Sequence, residues 1–392
     1  MKRGFLQRVR IWFLSVLDGF AWASTNRWLV LAGLAVYWAL AVLVAWHTEQ
    51  AVCFVLGLRH TLGLVYLTVG ISAVVLLAHE AEHIWKREWV KLPIGLLCIW
   101  FCYYFGLVLL WVLMGCLLSL STGVRHYGTV LAFALACAIT AVGYGNSRRI
   151  RTVSYYICVE GLSGTHTLAL ISDLHLGPFV HTDHARKIAE QVNAVGAELI
   201  VIAGDLIDDD HSLLQNPKRQ AQASGFLSKM QAPKGVVLTL GNHDPRREDQ
   251  PFRGFLEASG ITLLDNDVLE LPDYYLVGRT DPTRNSRLPM DALMRKCVHA
   301  KPVVVCDHDP RFAWEAAQAG ADLILSGHTH AGQFFPANLA ARISVGKTCF
   351  YGLQKIGTSR ILISSGAGCF NIPIRLGTHN EVVKIVLEGK PS

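Results

Sequence analysis

Charged residues are scarce in this chain. Of its 392 residues only 17% are Asp, Glu, Lys or Arg, whereas 52% are hydrophobic, and the mean hydropathy is +0.33. The net charge of +6 is modest and lies at the edges of the apolar runs, so the composition does not indicate a nucleic-acid partner. Basic residues beside apolar runs instead reflect orientation in a membrane and attraction to anionic headgroups. The length suffices for two or three domains.

C-x-x-C pairs are absent, although the chain has ten cysteines. Five of them lie inside apolar runs before Arg148, where a thiol behaves as a small hydrophobic group. The other five are scattered through the rest of the chain, mostly in or beside predicted strands. This distribution argues against a zinc knuckle and a disulfide framework and indicates a reducing compartment.

Long apolar runs are confined to the part of the chain before Arg148, and residues 28–147 are predicted to form a transmembrane region. A hydrocarbon core of about 30 Å takes roughly 20 apolar residues to cross. Four segments are long enough, namely Trp28–Trp46, Thr61–Ala78, Leu92–Leu120 and Tyr127–Gly145. None of them contains Asp, Glu, Lys or Arg, which argues against a transport path through the helices.

Residues 1–27 form a basic segment for which the sequence leaves alternatives open. Four Lys and Arg residues precede a short apolar stretch, and Ala21-Trp22-Ala23 resembles a signal-peptidase site. However, Asp18-Gly19 interrupts the apolar stretch, which is too short to span a membrane. We expect an interfacial or short helix, with a cleaved signal or a fifth span as the alternatives.

Lys and Arg residues are distributed unevenly across four spans. One side would carry the basic residues of the N-terminal segment, of the loop before Leu92 and of the stretch after Gly145, whereas the other would carry only Arg59 and Arg125. The positive-inside rule then places both ends in the cytoplasm. We therefore expect an integral protein of the cytoplasmic (inner) membrane whose C-terminal domain faces the cytoplasm.

After Arg148 the pattern changes to alternating short strands and helices. Residues 148–165 are predicted as a linker and first strand, and residues 166–392 as an α/β domain with helices that include Asp183–Val195 and Asp291–His299. Polar residues directly follow five predicted strands, His166–Ile171, Leu199–Ala203, Val236–Leu240, Pro302–Cys306 and Leu323–Leu325. Because loops at the carboxyl ends of strands converge on one crevice in open α/β sheets, these residues predict a common site.

The donors that follow these strands are Asp173, His175, Asp205, Asn242, His308, His328 and His330. Hard oxygens and imidazoles without a thiolate suit Mn²⁺, Fe or Zn²⁺. Seven donors are too many for one ion, but if Asp205 bridges, each of two ions receives four protein ligands. Two such ions can convert a bridging water to hydroxide near neutral pH and bind a phosphoryl oxygen. We expect two divalent ions, with manganese as the first choice and iron or zinc as alternatives.

The order of these motifs resembles that of the calcineurin-like metallophosphoesterases. The motifs are D-x-H (Asp173–His175), G-D-x-x-D (Gly204–Asp208), G-N-H-D (Gly241–Asp244), a lone histidine after a strand (His308) and G-H-x-H (Gly327–His330). The ordered set is far more specific than any single motif. The segments GHTHAGQFFP and GAGCFNIPIRLG further resemble the membrane-associated bacterial branch of this superfamily.

The resemblance implies an αββα four-layer sandwich with a dimetal centre at one edge. It assigns to the first ion Asp173, His175, Asp205 and His330, and to the second Asp205, Asn242, His308 and His328. His243 then contacts the phosphoryl group and protonates the leaving oxygen. Asp208 would orient His243 and keep it cationic, because a carboxylate partner raises the pKa of an imidazole.

The chain departs from the phosphoprotein-phosphatase branch at one position. In that branch an Arg follows the second Asp of G-D-x-x-D and binds a terminal phosphate, whereas this chain has Asp209. A dianionic monoester would meet the carboxylate run Asp208 to Asp210, so a singly charged diester or a pyrophosphate linkage is favoured. Arg375 is a candidate phosphate contact, and the alternative is a surface arginine.

The sequence therefore predicts a membrane-anchored dimetal hydrolase that cleaves a phosphodiester or pyrophosphate bond. Four spans exceed the needs of a tether, which favours a lipid-linked substrate such as a phospholipid or a nucleotide-linked acylated sugar. The alternatives are a membrane-bound phosphomonoesterase or phosphoprotein phosphatase, and a non-catalytic membrane sensor or transporter with a metal-binding domain. The expected partners are the membrane and a phosphorylated small-molecule or lipid substrate, without nucleic acid.

Overall fold

The computed structural model of the chain describes residues 27–58, 88–180, 182–208, 211–283, 286–345 and 350–389. The chain divides into two compact units, Met1–Thr140 and Ala141–Ser392. Residues 1–26 of the predicted interfacial segment, the predicted span Thr61–Ala78 and Asp209 lie outside the described residues.

Long apolar helices form the described part of the first unit. They are α1 (Arg27–Leu56), α2 (Glu88–Leu117) and α3 (Thr122–Ser147), the last of which continues into the second unit. Within the described ranges, three stretches are long and apolar enough to cross a membrane, Ala39–Leu56, Lys91–Leu117 and Thr122–Ser147. They correspond to the first, third and fourth predicted spans.

The ends of these helices follow from local sequence. Helix α1 continues past the predicted end at Trp46 to Leu56, because the next residue suited to end a helix is Gly57, whose φ of 65° is the left-handed conformation of a helix C-terminus. Large apolar side chains remain on the helix surfaces, with Leu110 66% and Leu117 84% exposed. Such surfaces suit contact with lipid rather than water.

Two mixed six-stranded sheets form the framework of the second unit. The first sheet has the order β1-β12-β2-β3-β4-β5, with β1 (Ile150–Val159), β2 (Thr165–Ile171), β3 (Leu199–Ala203), β4 (Val236–Thr239), β5 (Ile261–Leu263) and β12 (Asn380–Gly389). The second has the order β10-β11-β9-β8-β7-β6, with β6 (Asp267–Glu270), β7 (Tyr275–Arg279), β8 (Val303–Asp307), β9 (Leu323–Ser326), β10 (Gly352–Ile356) and β11 (Ser359–Ile363). Strands β2 to β5 are parallel, as are β7, β8, β9 and β11.

Helices cover the outer face of each sheet, which gives four layers. Helices α4 (Thr182–Asn193), α5 (Pro217–Leu227) and α6 (Gln250–Ala258) pack on the first sheet, and α7 (Met290–Met294) and α8 (Ala313–Gln318) on the second. A further helix, α9, is Ala337–Ser344. Between the sheets lies a core that includes Leu168, Val201, Val304 and Leu325. Strands β3 and β8 are apolar along almost their whole length because both of their faces are covered.

One predicted helix boundary differs from the structure. The predicted helix Asp291–His299 is too long, since α7 ends at Met294 and the chain then turns toward β8. The predicted linker and first strand, residues 148–165, hold β1, which pairs in parallel with β12 and is therefore an integral part of the first sheet. The boundary between the compact units falls inside α3, and this apolar helix ends at Ser147, the predicted last residue of the transmembrane region.

Candidate metal centre

The seven predicted ligands follow the carboxyl ends of five strands. Asp173 and His175 follow β2, Asp205 follows β3 and Asn242 follows β4, all in the first sheet. His308 follows β8, and both His328 and His330 follow β9 in the second sheet. The parallel strands of each sheet end at one edge, so the loops from the two sheets meet there.

Asp173, His175 and His330 form the first ligand group, in which one ligand atom of each residue lies within 4.8 Å of the others. His175 Nε2 lies 3.1 Å from His330 Nε2, and the latter lies 3.4 Å from Asp173 Oδ1. All three residues are buried. Their donor atoms therefore face one point inside the protein.

The second ligand group consists of Asp205, His308 and His328. Asp205 Oδ2 lies 3.0 Å from His308 Nε2. His328 Nδ1 lies 2.9 Å from the side-chain oxygen of Asn242, which brings the predicted amide ligand to the same place. The structure thus brings all seven predicted ligands together.

Asp205 lies between the two groups, as the prediction of a shared ligand requires. The carboxylate oxygen that faces His308 is also 3.7 Å from His175 Nε2 of the first group. Burial by itself would raise the pKa of the Asp205 carboxyl, but the neighbouring imidazoles, His308 foremost, hold that pKa well below its usual value. The side chain is therefore an anion to which both groups have access.

The tautomer of His308 provides a test of whether these residues fit a cation. Its Nδ1 donates a hydrogen bond to the carbonyl oxygen of Ala203 (2.6 Å), which leaves Nε2 as the metal-binding atom. In the neutral ring, the lone pair of Nε2 would point at a carboxylate oxygen only 3.0 Å away. A positive charge, either a proton on Nε2 or a metal ion, has to lie beside the two atoms, and the oxygen and imidazole donors around them are of the kinds that divalent cations bind.

Strained backbone at the predicted ligands also indicates a functional site. Five of the seven ligands have positive φ, with values of 52° at Asp173, 46° at His175, 55° at Asp205, 70° at His328 and 50° at His330. Each such residue costs on the order of 1–3 kcal/mol and persists only where the surrounding structure imposes it, which occurs mainly at functional sites. The ligand loops are therefore shaped for the site at a cost in stability.

Two glycines permit the close approach of these loops. A Cβ added at Gly241 would lie 2.1 Å from Asp205 Oδ1, and one added at Gly327 would lie 2.4 Å from Asp173 Oδ2. No side chain fits at either position. This explains the glycine in the G-N-H-D and G-H-x-H motifs.

Asp244 anchors the loop that carries Asp205, a role that the sequence did not assign. Its fully buried carboxylate accepts hydrogen bonds of 2.8–3.1 Å from four backbone N–H groups, those of Asp205, Leu206, Ile207 and Gly241. The signal was present as the last residue of G-N-H-D. Only the folded chain shows that this residue holds a ligand loop instead of binding an ion.

His243 lies beside both ligand groups and belongs to neither. Its backbone N–H donates to Asp205 Oδ1 (2.9 Å), and its ring Nε2 lies 4.0 Å from Asp205 Oδ2. The side chain is 15% exposed, with its ring centroid 4.9 Å from that of Phe370. An imidazole in this position can reach a substrate bound at the ligand groups.

Asp208 lies next to His175, one of the predicted metal ligands. Its Oδ1 lies 3.5 Å from His175 Nδ1, so the carboxylate is suited to hold that ring with Nε2 toward the first group. The orientation of His243 by Asp208 stays a prediction.

Arg375 lies in the protein interior, contrary to both expectations for it, and is neither a surface arginine nor exposed to a substrate. Its side chain is fully buried. Four of its hydrogen bonds go to protein oxygens, those of the Asn380 side chain (2.7 Å) and of the His330 (2.8 Å), Ser365 (2.7 Å) and Gly368 (2.6 Å) carbonyls. Because these acceptors use most of its five N–H donors, the predicted phosphate contact does not fit this placement.

A buried ion pair supports the strand end from which His308 extends. Both carboxylate oxygens of Asp307 accept from Arg287, at 3.1 and 2.8 Å. Burial raises the pKa of Asp307 to about 6, although the nearby Arg287 acts to lower it. The sequence does not reveal this pair, because nothing in the spacing connects residue 287 with residue 307.

Comparisons with known proteins agree with this geometry. Residues 166–332 match the family model described as calcineurin-like phosphoesterase. An uncharacterized metallophosphoesterase of Helicobacter pylori is 30% identical over 240 residues, which cover 60% of this chain and 63% of the relative. A transmembrane protein with metallophosphoesterase domain from Danio rerio is 30% identical over 282 residues, covering 66% of this chain and 62% of the relative.

The chain thus spans a little under two thirds of the length of these relatives. A metallophosphoesterase of Aquifex aeolicus, also uncharacterized, is 25% identical over 265 residues and is covered over 98% of its length. The matched region contains all seven ligands, His243 and both ligand groups. The chain therefore carries a calcineurin-like phosphoesterase domain and has metallophosphoesterase homologues.

Proposed function

We propose that this chain is a membrane-anchored two-metal hydrolase that cleaves a phosphodiester or pyrophosphate bond in a lipid-linked substrate. The observation that carries the proposal is the pair of ligand groups that share Asp205, with His243 beside them and outside both. A purely metal-binding sensor has no need of a partly exposed imidazole at this position. Manganese is the proposed native metal, with iron or zinc as alternatives.

The chemistry at the site divides between the ions and the side chains. Two divalent cations at such a centre activate a water and neutralise charge on a phosphoryl oxygen. His243 donates a proton to the leaving oxygen, and its backbone hydrogen bond to Asp205 keeps it at a fixed distance from the shared ligand. The ring of Phe370 packs against His243 and limits where the imidazole can turn.

The charge near the site favours a diester over a monoester. A phosphomonoester carries close to two negative charges at pH 7, a diester only one. Asp208 lies beside His175, and the sequence continues with Asp209 and Asp210 instead of a phosphate-binding arginine. Carboxylates in this position repel the dianion more strongly than the monoanion.

The membrane location completes the proposal. In the part of the chain that the structure describes, three apolar helices are long enough to span a bilayer and lie before the phosphoesterase domain in sequence, and a relative is named as a transmembrane protein. The distribution of Lys and Arg supports insertion in the cytoplasmic membrane with the domain on the cytoplasmic side. A substrate anchored in that leaflet would present its phosphate near the membrane surface.

The substrate class can be tested with the detergent-purified full chain and Mn²⁺. We expect hydrolysis of bis(p-nitrophenyl) phosphate to exceed that of p-nitrophenyl phosphate at equal concentration. Asp209→Arg should narrow the difference by improving turnover of the monoester. Faster hydrolysis of the monoester by the unmodified chain would replace the diesterase proposal with a membrane-bound phosphomonoesterase. A search of lipid extracts from a deletion strain for an accumulating phosphorylated lipid then tests the lipid-linked substrate.

The role of His243 can be tested separately from metal binding. His243→Ala should keep two ions per chain and lower turnover by roughly 10²–10⁴-fold, the usual contribution of a general acid. His299→Ala is the matched control, because that side chain is 61% exposed and lies 3.8 Å from Glu270 at the surface. Loss of metal together with activity in His243→Ala would contradict the assignment. Two bound ions without any hydrolysis by the unmodified chain would favour a sensor.

A further inference from the structure

Arg375 connects a metal ligand to a separate loop of the domain. One guanidinium nitrogen donates to the carbonyl oxygen of His330, and the other donates to the Ser365 and Gly368 carbonyls while lying 3.4 Å from His330 Nδ1. The loop that it holds leads directly to Phe370, which packs against His243. The position of the Arg375 side chain therefore affects where His330 of the first ligand group lies and where Phe370 packs beside the site.

The backbone around Arg375 is held by the end of helix α3. Residues 141–147 of α3 belong to the same compact unit as the site. The carbonyl oxygen of Gly143 accepts from the Arg375 N–H (2.9 Å). Ser147 adds two buried hydrogen bonds, donating from Oγ to the Pro373 carbonyl (2.9 Å) and accepting at its own carbonyl from the Asn380 side chain (2.6 Å). Asn380 in turn accepts from Arg375.

This contact requires a glycine on one face of the helix. A Cβ added at Gly143 would lie 2.4 Å from Ile374 Cγ1 and 3.0 Å from Leu376 Cγ, on either side of Arg375 in the sequence. At Gly145, in the same turn, an added Cβ would meet nothing within 4 Å. The two glycines therefore differ in their contact with the segment 373–376 and provide a matched pair.

We infer that Arg375 is a positioning residue for the first metal ion and that the end of α3 sets its place. This inference rests on the proposed two-metal function. Residues outside the coordination shell that orient a ligand typically contribute 10- to 100-fold to metal affinity or activity. An apolar helix that is long enough to span a membrane would then hold one of the two ligand groups through hydrogen bonds at its last turns, so the site depends on how that helix ends.

The experiment measures Mn²⁺ binding to the full chain in detergent, without substrate. Gly143→Leu should push the segment 373–376 away and lower the affinity for one of the two ions by about 10- to 100-fold. Gly145→Leu should bind both ions with the affinities of the unmodified chain. Arg375→Lys should lower the affinity for the same ion as Gly143→Leu does. An ammonium group keeps the positive charge but lacks the planar guanidinium geometry that reaches several acceptors.

Electron paramagnetic resonance identifies which ion is affected. The spectrum of the Mn²⁺ retained by Gly143→Leu should match that of His330→Ala, which lacks a first-group ligand, and differ from that of His308→Ala, which lacks a second-group ligand. Retention of the second ion also shows that the domain is folded.

The possible results separate the inference from the proposed function. Equal binding of both ions by Gly143→Leu and Gly145→Leu would overturn the inference and leave the two-metal function intact. Loss of both ions in Gly143→Leu and Arg375→Lys would also overturn it, since the helix end would then hold the whole domain. Fewer than two ions in the unmodified chain would contradict the proposed function itself.

Discussion

Asp244 offers the sharpest test of how this site is built. It is a buried carboxylate with four backbone N–H donors and no position in either ligand group. Oδ1 accepts from Leu206 and Ile207, and Oδ2 accepts from Asp205 and Gly241. Replacement by Asn keeps the shape and one of the two oxygens. It therefore removes the acceptor for two of the four donors.

The expected cost follows from the number of donors left without an acceptor. A buried N–H group that loses its partner costs about 1–3 kcal/mol, so Asp244→Asn should lower the free energy of unfolding by roughly 2–6 kcal/mol. Asp244→Ala removes all four acceptor contacts and should cost about twice as much. Since domains are stable by only about 5–15 kcal/mol, Asn is the variant that can still be measured.

Urea unfolding of the full chain in detergent, monitored by limited proteolysis of the phosphoesterase domain, measures this difference. Asp291→Asn is the control, because this exposed residue at the start of α7 should change stability by no more than about 0.5 kcal/mol. Metal content should fall along with stability in Asp244→Asn, since the loop of the shared ligand Asp205 loosens. If the free energy of unfolding of Asp244→Asn lies within about 1 kcal/mol of that of the unmodified chain, the four hydrogen bonds do not hold the loop.

Three further predictions address the ions and pH. Asp205→Asn should lower the occupancy of both ions in elemental analysis, and retention of two ions would contradict a shared ligand. Removal of metal by EDTA should lower the melting temperature, because each ion present at 100 times its dissociation constant adds about 2.7 kcal/mol to the free energy of unfolding. An unchanged melting temperature would contradict the binding of ions to the folded state alone. Burial lowers the pKa of His184 to about 4, below its unfolded value, so up to about 3 kcal/mol of stability should be lost as the pH falls from 6.5 toward 4. His184→Gln should remove this part of the pH dependence of urea unfolding, and an unchanged slope would contradict the assignment.

The clustering of the seven candidate ligands was predictable from sequence because each of them lies in the loop that follows an apolar strand. Asp205 comes two residues after β3, and His308 comes one residue after β8, so local order places them at the strand ends. The pairing of the strands then brings these ends together, since parallel neighbours end at a common edge of the sheet. The layers of the domain were predictable only through the family resemblance, because the alternation of strands and helices does not show that the strands divide into two sheets.

The residues that support the ligands were not predictable in the same way. Asp244 and Arg375 act through hydrogen bonds to backbone atoms, which any residue type supplies, so no pattern marks their partners. The contact of Gly143 with Ile374 joins positions that are distant in sequence. For the same reason Arg375 was predicted to face a phosphate or the solvent, whereas it is buried against the carbonyl oxygens of His330 and of residues 365–368 and against the side-chain oxygen of Asn380.

Both ligand groups draw residues from both sheets, and this has a consequence for the stability of the domain. The first group combines Asp173 and His175 from the first sheet with His330 from the second. The backbone N–H of His328 also donates to both oxygens of Asp173, so the two loops are joined before any ion binds. An ion bound in either group would link the sheets, and its binding energy would add to that of the apolar core between them. Metal affinity and the packing of the two sheets are consequently coupled, because a change that separates the sheets also separates the ligands of each ion.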